Sequence, residues 1–166
     1  QKLKINSVKI LNNEYMSFVE DSIKSFNKNV SKISPLNTIC LFPKFVEDNS
    51  KTRNILMEVV ELCIKDDINV FISLHPKIQF LEKDILQFEN ITHVDNAESF
   101  VINNKVPCIA WHGSIIDLCV QSNTPVACYW NDWFLKASPD GNRYHKDITF
   151  LSIKSCYEHI KNYIKK

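Results

Sequence analysis

The chain has 166 residues, 45% of them apolar and 23% charged, which is the size and composition of one globular domain and excludes a disordered or fibrous protein. Twenty Lys and Arg against 19 Asp and Glu leave a net charge of +1, so no global field draws the chain to nucleic acid, and no nucleic-acid partner is expected. No stretch approaches the roughly 18 uninterrupted apolar residues of a membrane span, and Gln1 to Lys4 lead into no signal-peptide core, so the expected location is cytoplasmic.

Residues 1–37 carry a strand pattern at Leu3 to Leu11 and a helical face of Tyr15, Phe18, Val19, Ile23 and Phe26, and they read as an accessory segment. From Thr38 to Trp130 short apolar runs alternate with amphipathic stretches. Thr38 to Pro43 is a strand, and Ile55, Leu56, Val59, Val60, Cys63 and Ile64 recur at helical spacing after it. Asn69 to Leu74 is a second strand, ending at His75-Pro76, and Leu81, Ile85 and Phe88 mark the next helical face.

Ile91 to Val94 is a third strand, followed by a helix over Ala97 to Asn103 with Asp95 as its expected cap and Glu98 three residues on. Pro107 to Trp111 is a fourth strand, Ser114 to Gln121 a helix, and Pro125 to Trp130 a fifth strand. Continuous apolar strands joined by helices predict a Rossmann-like α/β domain, a parallel sheet with helices on both faces. Asn131 to His145 reads as the longest irregular piece, Asp147 to Ile153 as a sixth strand, and Cys156, Ile160 and Ile164 as one face of a terminal helix. All of residues 1–166 form a single domain on this reading.

The six cysteines lie singly and never as C-x-x-C, which fits neither a zinc site nor a disulfide scaffold and predicts buried free thiols in a reducing compartment. Asp66-Asp67 precedes the second strand, at the wrong edge for a metal-dependent site; Cys108 with His112 is too few ligands for zinc, and His93 sits within a strand as a structural histidine. No metal site is expected.

Ligands of open parallel sheets bind beyond the carboxyl ends of the strands, where helix N-termini also point. Two segments lie there. His75-Pro76-Lys77 places an imidazole and an ammonium after the second strand, suited to a phosphate, unless Pro76 merely ends the strand and His75 is a loop residue. His112-Gly113-Ser114-Ile115-Ile116-Asp117 opens a helix after the fourth strand. There Gly113, one of only two glycines, permits close backbone approach, Ser114 offers a hydroxyl, and Asp117 is placed to accept from ribose hydroxyls. Ser-x-x-Asp is equally a capping box, in which both side chains satisfy the helix itself. Trp130, Trp133, Phe134 and Tyr144, with Lys136, Arg143 and His145, either line an acceptor or base pocket or anchor a surface loop. The dinucleotide, P-loop and hydrolase glycine motifs are all absent from the sequence.

A strand ending in His75-Pro76, a short strand within NITHVDN (Asn90 to Asn96) and then IAWHGSIIDLCVQSNTPVACY (Ile109 to Tyr129) resemble, in that order, the carboxyl-terminal half of GT-B fold glycosyltransferases. The likeness is to those of capsule and surface-polysaccharide synthesis and to sialyltransferase-like enzymes, and it covers Thr38 to Tyr129. The resemblance maps the donor phosphate onto His75 and Pro76, with His75 the candidate catalytic group, and phosphate and ribose onto Gly113, Ser114, Asp117 and the strand led by Pro125; Lys77 and His112, from the two strand-end segments, complete the expected nucleotide-sugar site. Asp117 departs from the usual Glu at the ribose position, and Leu118 from the small residue that follows it.

The resemblance further implies a CMP- or UDP-linked donor, no cofactor and no metal, a glycan acceptor, and a location at most peripheral to the inner membrane face. Residues 1–37 are too few for the acceptor-binding domain of such an enzyme, so a missing amino-terminal domain or a partner chain is expected. The alternatives are a non-catalytic glycosyltransferase-like binding module and a sugar-nucleotide epimerase of the same fold.

Overall fold

A computed structural model describes Ser17, Asp21 and residues 35–94, 97–137 and 145–166. The accessory strand expected at Leu3 to Leu11, the helical face from Tyr15 to Phe26, the Asp95 cap, and Gly141, Arg143 and Tyr144 lie outside the described residues.

Six strands form one sheet: β1 (Thr38–Phe42), β2 (Asn69–Ile72), β3 (Ile91–His93), β4 (Cys108–Ala110), β5 (Val126–Tyr129) and β6 (Thr149–Phe150). Every pairing is parallel and the order is β3-β2-β1-β4-β5-β6. Parallel neighbours need crossovers, and these carry α1 (Asn49–Lys65), α2 (Glu82–Leu86), α3 (Ala97–Asn104), α4 (Ser114–Gln121) and α5 (Asp132–Ala137), with α6 (Ile153–Ile160) following the last strand. The fold is the Rossmann-like α/β arrangement that the alternation of patterns predicts.

β1, β4 and β5 are buried at every position because helices cover both faces of the sheet's centre. α1 packs with α6 and α3 with α4. The core includes Ile39, Leu41, Leu56, Ile72, Ile109, Trp111 and Tyr157, each no more than 1% exposed. All six cysteines are buried and unlinked. Burial pushes the Cys63 thiol up to about 12 and the Cys128 thiol up to about 11, so these thiols stay protonated in the folded chain.

Two segments differ from the sequence reading. The piece expected to be irregular after Trp130 begins with α5, whose first turn is fixed by Asn131: its Oδ1 accepts from the Trp133 and Phe134 N–H groups at 3.1 and 3.3 Å. The sixth strand shrinks to Thr149–Phe150, because Lys146–Ile148 coils into a 3₁₀ turn before it and Ser152 caps α6 after it. No helix among the described residues is long and apolar enough to cross a membrane.

Candidate functional site

Strand order reverses between β1 and β4. Their two outgoing chains separate there, one toward each side of the sheet, and leave a crevice beyond their carboxyl ends. The crevice is a cavity of ≈ 270 Å³ whose walls include Lys44, Ser73, His75, Pro76, Glu98, His112, Gly113 and Ser114. The two segments singled out in the sequence, after β2 and after β4, therefore face one volume.

Lys44 follows β1 on the loop 43–46, which is pinned at its far end by a buried threonine. The Thr52 hydroxyl accepts from the Val46 N–H at 2.9 Å and donates to the Asp48 carbonyl at 2.7 Å. At its near end β1 is tied to both neighbours, the Leu41 carbonyl accepting from Ser73 N–H at 3.0 Å and the Phe42 carbonyl from Trp111 N–H at 3.1 Å. The Lys44 side chain is half-buried, and loss of hydration pulls its pKa down. Its ammonium would lie 2.7 Å from a Cβ at Gly113, so it rests against the chain entering α4.

Gly113 itself has φ +119° and ψ 176°, a region closed to residues with a side chain, and His112 before it has φ +58°. The turn into α4 is thus tight and strained. Gly113 occupies the N-cap and no side chain caps the helix. The capping-box alternative for Ser114 and Asp117 is therefore not what the chain adopts: Ser114 is already the first helical residue, one position too late to cap. Ser114 and Ile115, at the amino end of α4, line the crevice, and no side-chain hydrogen bond caps the helix there.

His75 is extended, at φ −62° and ψ 143°, as the following proline requires. It also caps the 3₁₀ helix Pro76–Leu81, its Nδ1 accepting from the Lys77 N–H at 3.2 Å. With Nδ1 so used, the neutral ring carries its proton on Nε2, leaving that atom as a donor. Burial, then the charges of Lys44 and Lys77, pull the His75 pKa down. His112 is likewise lowered, by burial and then by Lys44, and its ring lies edge-on to Trp130 and Phe134 with centroids 5.1 and 5.5 Å away.

A second hollow, ≈ 350 Å³, shares Lys44, His75 and His112 with the first and extends to Lys77, Phe45, Trp133 and Phe134. Of the residues expected to form the site, His75, Pro76, His112, Gly113 and Ser114 meet in the crevice and Lys77 stands in the adjoining hollow. Asp117 is elsewhere: three residues into α4, its carboxylate hydrogen-bonds His145 Nε2 and it lines neither hollow. Among the described residues no group of three His, Cys, Asp or Glu could hold a metal ion.

The sequence reading missed Lys44 and Glu98. Lys44 was findable, since it stands two residues past β1 at the edge where ligands bind; Glu98 was taken as a member of a capping pair. A lysine ammonium, two imidazoles, the strained turn at Gly113 and one carboxylate thus surround a single crevice. No protein-family model matches the chain, and no curated protein matches its sequence.

Proposed function

We propose that the chain is the donor-binding half of a glycosyltransferase of surface or capsular polysaccharide synthesis, working at the cytoplasmic face of the membrane. Its donor is a nucleotide-activated sugar, CMP- or UDP-linked, whose phosphate sits between Lys44, His75 and the start of α4. The observation that carries the reading is Lys44. Its half-buried ammonium rests at the positive end of a helix and makes no ion pair among the described residues, an arrangement that an incoming anion relieves.

Departure of a nucleotide from a sugar builds negative charge on the leaving phosphate. The crevice offers three preorganised answers: a lysine charge, an imidazole Nε2–H, and helix amides at Ser114 and Ile115. Gly113 matters because any side chain there would meet the Lys44 ammonium and force the backbone out of its turn. The order of motifs from His75-Pro76 to Pro125 supports sugar transfer over other uses of such a site. The glycan acceptor and the base that activates it come, on this reading, from a further domain or a partner chain.

Calorimetric titration of the chain with CMP, UMP, CDP and UDP tests it. At least one binds, and His75→Ala weakens that binding by about 1.5–3 kcal/mol, the range for a hydrogen bond to a charged group. Binding of none of the four, or unchanged affinity in a folded His75→Ala variant, overturns the assignment.

A further inference from the structure

Glu98 is the one acidic side chain among the described residues that lines the crevice. It stands at the second position of α3, half-buried, and makes no hydrogen bond or ion pair among the described residues. Lys44 borders the same cavity, yet the two are not paired, so the empty volume lies between opposite charges. A bare phosphate filling that volume would be repelled by Glu98. Water hydrates this half-buried carboxylate, and a ligand that displaces that water meets it favourably when it carries hydrogen-bond donors on the side away from its phosphate.

We infer that Glu98 is the ribose-binding residue, accepting hydrogen bonds from the vicinal hydroxyls of the nucleotide, the part that the sequence assigned to Asp117. The inference rests on the proposed nucleotide site and deepens it. Asp117 is turned to His145 and lines neither hollow, whereas Glu98 faces the cavity that holds Lys44 and His75. The size agrees: ≈ 270 Å³ is just under the roughly 300 Å³ at which small-molecule sites begin, room for a ribose phosphate and not for a whole nucleotide sugar. The remainder of the ligand then belongs in the adjoining ≈ 350 Å³ hollow beside Trp133.

The test compares CMP and UDP with their 2′,3′-dideoxy counterparts and with pyrophosphate, by calorimetry, on the parent chain and on Glu98→Ala, with circular dichroism confirming that both are folded. Expected is a preference of about tenfold or more for the hydroxylated nucleotide in the parent chain, which disappears in Glu98→Ala, while pyrophosphate binds the variant as well as the parent or more tightly. A preference that persists in Glu98→Ala, or none in the parent chain, overturns the role of Glu98 and leaves the phosphate site standing. Failure of every nucleotide and of pyrophosphate to bind the parent chain removes the nucleotide site, and this inference with it.

Discussion

The two edges of the sheet use the same side-chain chemistry to opposite ends. At the amino edge, below β2, Asp66 accepts a hydrogen bond from Tyr157 Oη at 2.6 Å and pairs with Lys161 at 3.7 Å, and Tyr157 also reaches the Leu62 carbonyl at 3.3 Å. The tyrosine hydroxyl and the Lys161 charge hold the Asp66 carboxyl below its ordinary range. That cluster joins α1 to α6 and is complete in itself. At the carboxyl edge a lysine, two histidines and a glutamate surround a cavity without one ion pair among them, on a backbone bent through Gly113. Polar groups that satisfy one another hold a fold together, whereas a lysine and a glutamate left unpaired around a cavity mark a candidate binding site.

The contrast breaks first at Tyr157. Its side chain is 0% exposed, so Tyr157→Ala leaves a large void and is expected to cost about 3–5 kcal/mol in urea unfolding, with nucleotide affinity of the folded fraction unchanged. A matching loss of affinity would mean that the two edges are coupled. Lys44→Met should do the reverse. Nucleotide affinity falls by about 1.5–3 kcal/mol in calorimetry while the unfolding midpoint holds or rises, since a desolvated charge has gone. A drop in stability without a drop in affinity would move Lys44 into the structural class.

The smallest effect is in pH. His75 and His112 both titrate below the ordinary value of 6.5 in the folded chain, so on acidification the unfolded chain takes up protons first. Stability is therefore whole above about pH 6.5, declines as pH falls through that value, and levels off once the folded histidines are themselves protonated. Unfolding midpoints measured across that range should flatten in a His75→Asn, His112→Asn double variant and stay sloped in Tyr157→Ala.

How much of this was legible in the sequence depends on the distance over which each feature is decided. The strands of the sheet's centre are buried on both faces and so are written as unbroken apolar runs, which is why the alternation from Thr38 to Trp130 could be read without error of class. The gathering of His75 and Gly113 was legible too, because the carboxyl ends of parallel strands must share an edge. Asp117 was not. Its partner His145 lies 28 residues downstream, beyond any local pattern, and the glycine before Ser114 took the N-cap and moved Ser114 inside the helix. Glu98 was hidden for a plainer reason, that a single charged residue in a sequence looks the same whether it faces water or a cavity, whereas Lys44, two residues past β1, was marked by its place at the carboxyl edge.

The buried thiols have a practical consequence. A reagent that alkylates only exposed thiolate cannot touch Cys63 or Cys128 until the molecule opens, so each chain carries its own timer of transient unfolding, with no probe to be engineered. A compound that occupies the crevice slows that timer in proportion to how tightly it is held. Libraries of phosphorylated metabolites could then be ranked by the rate of cysteine modification alone.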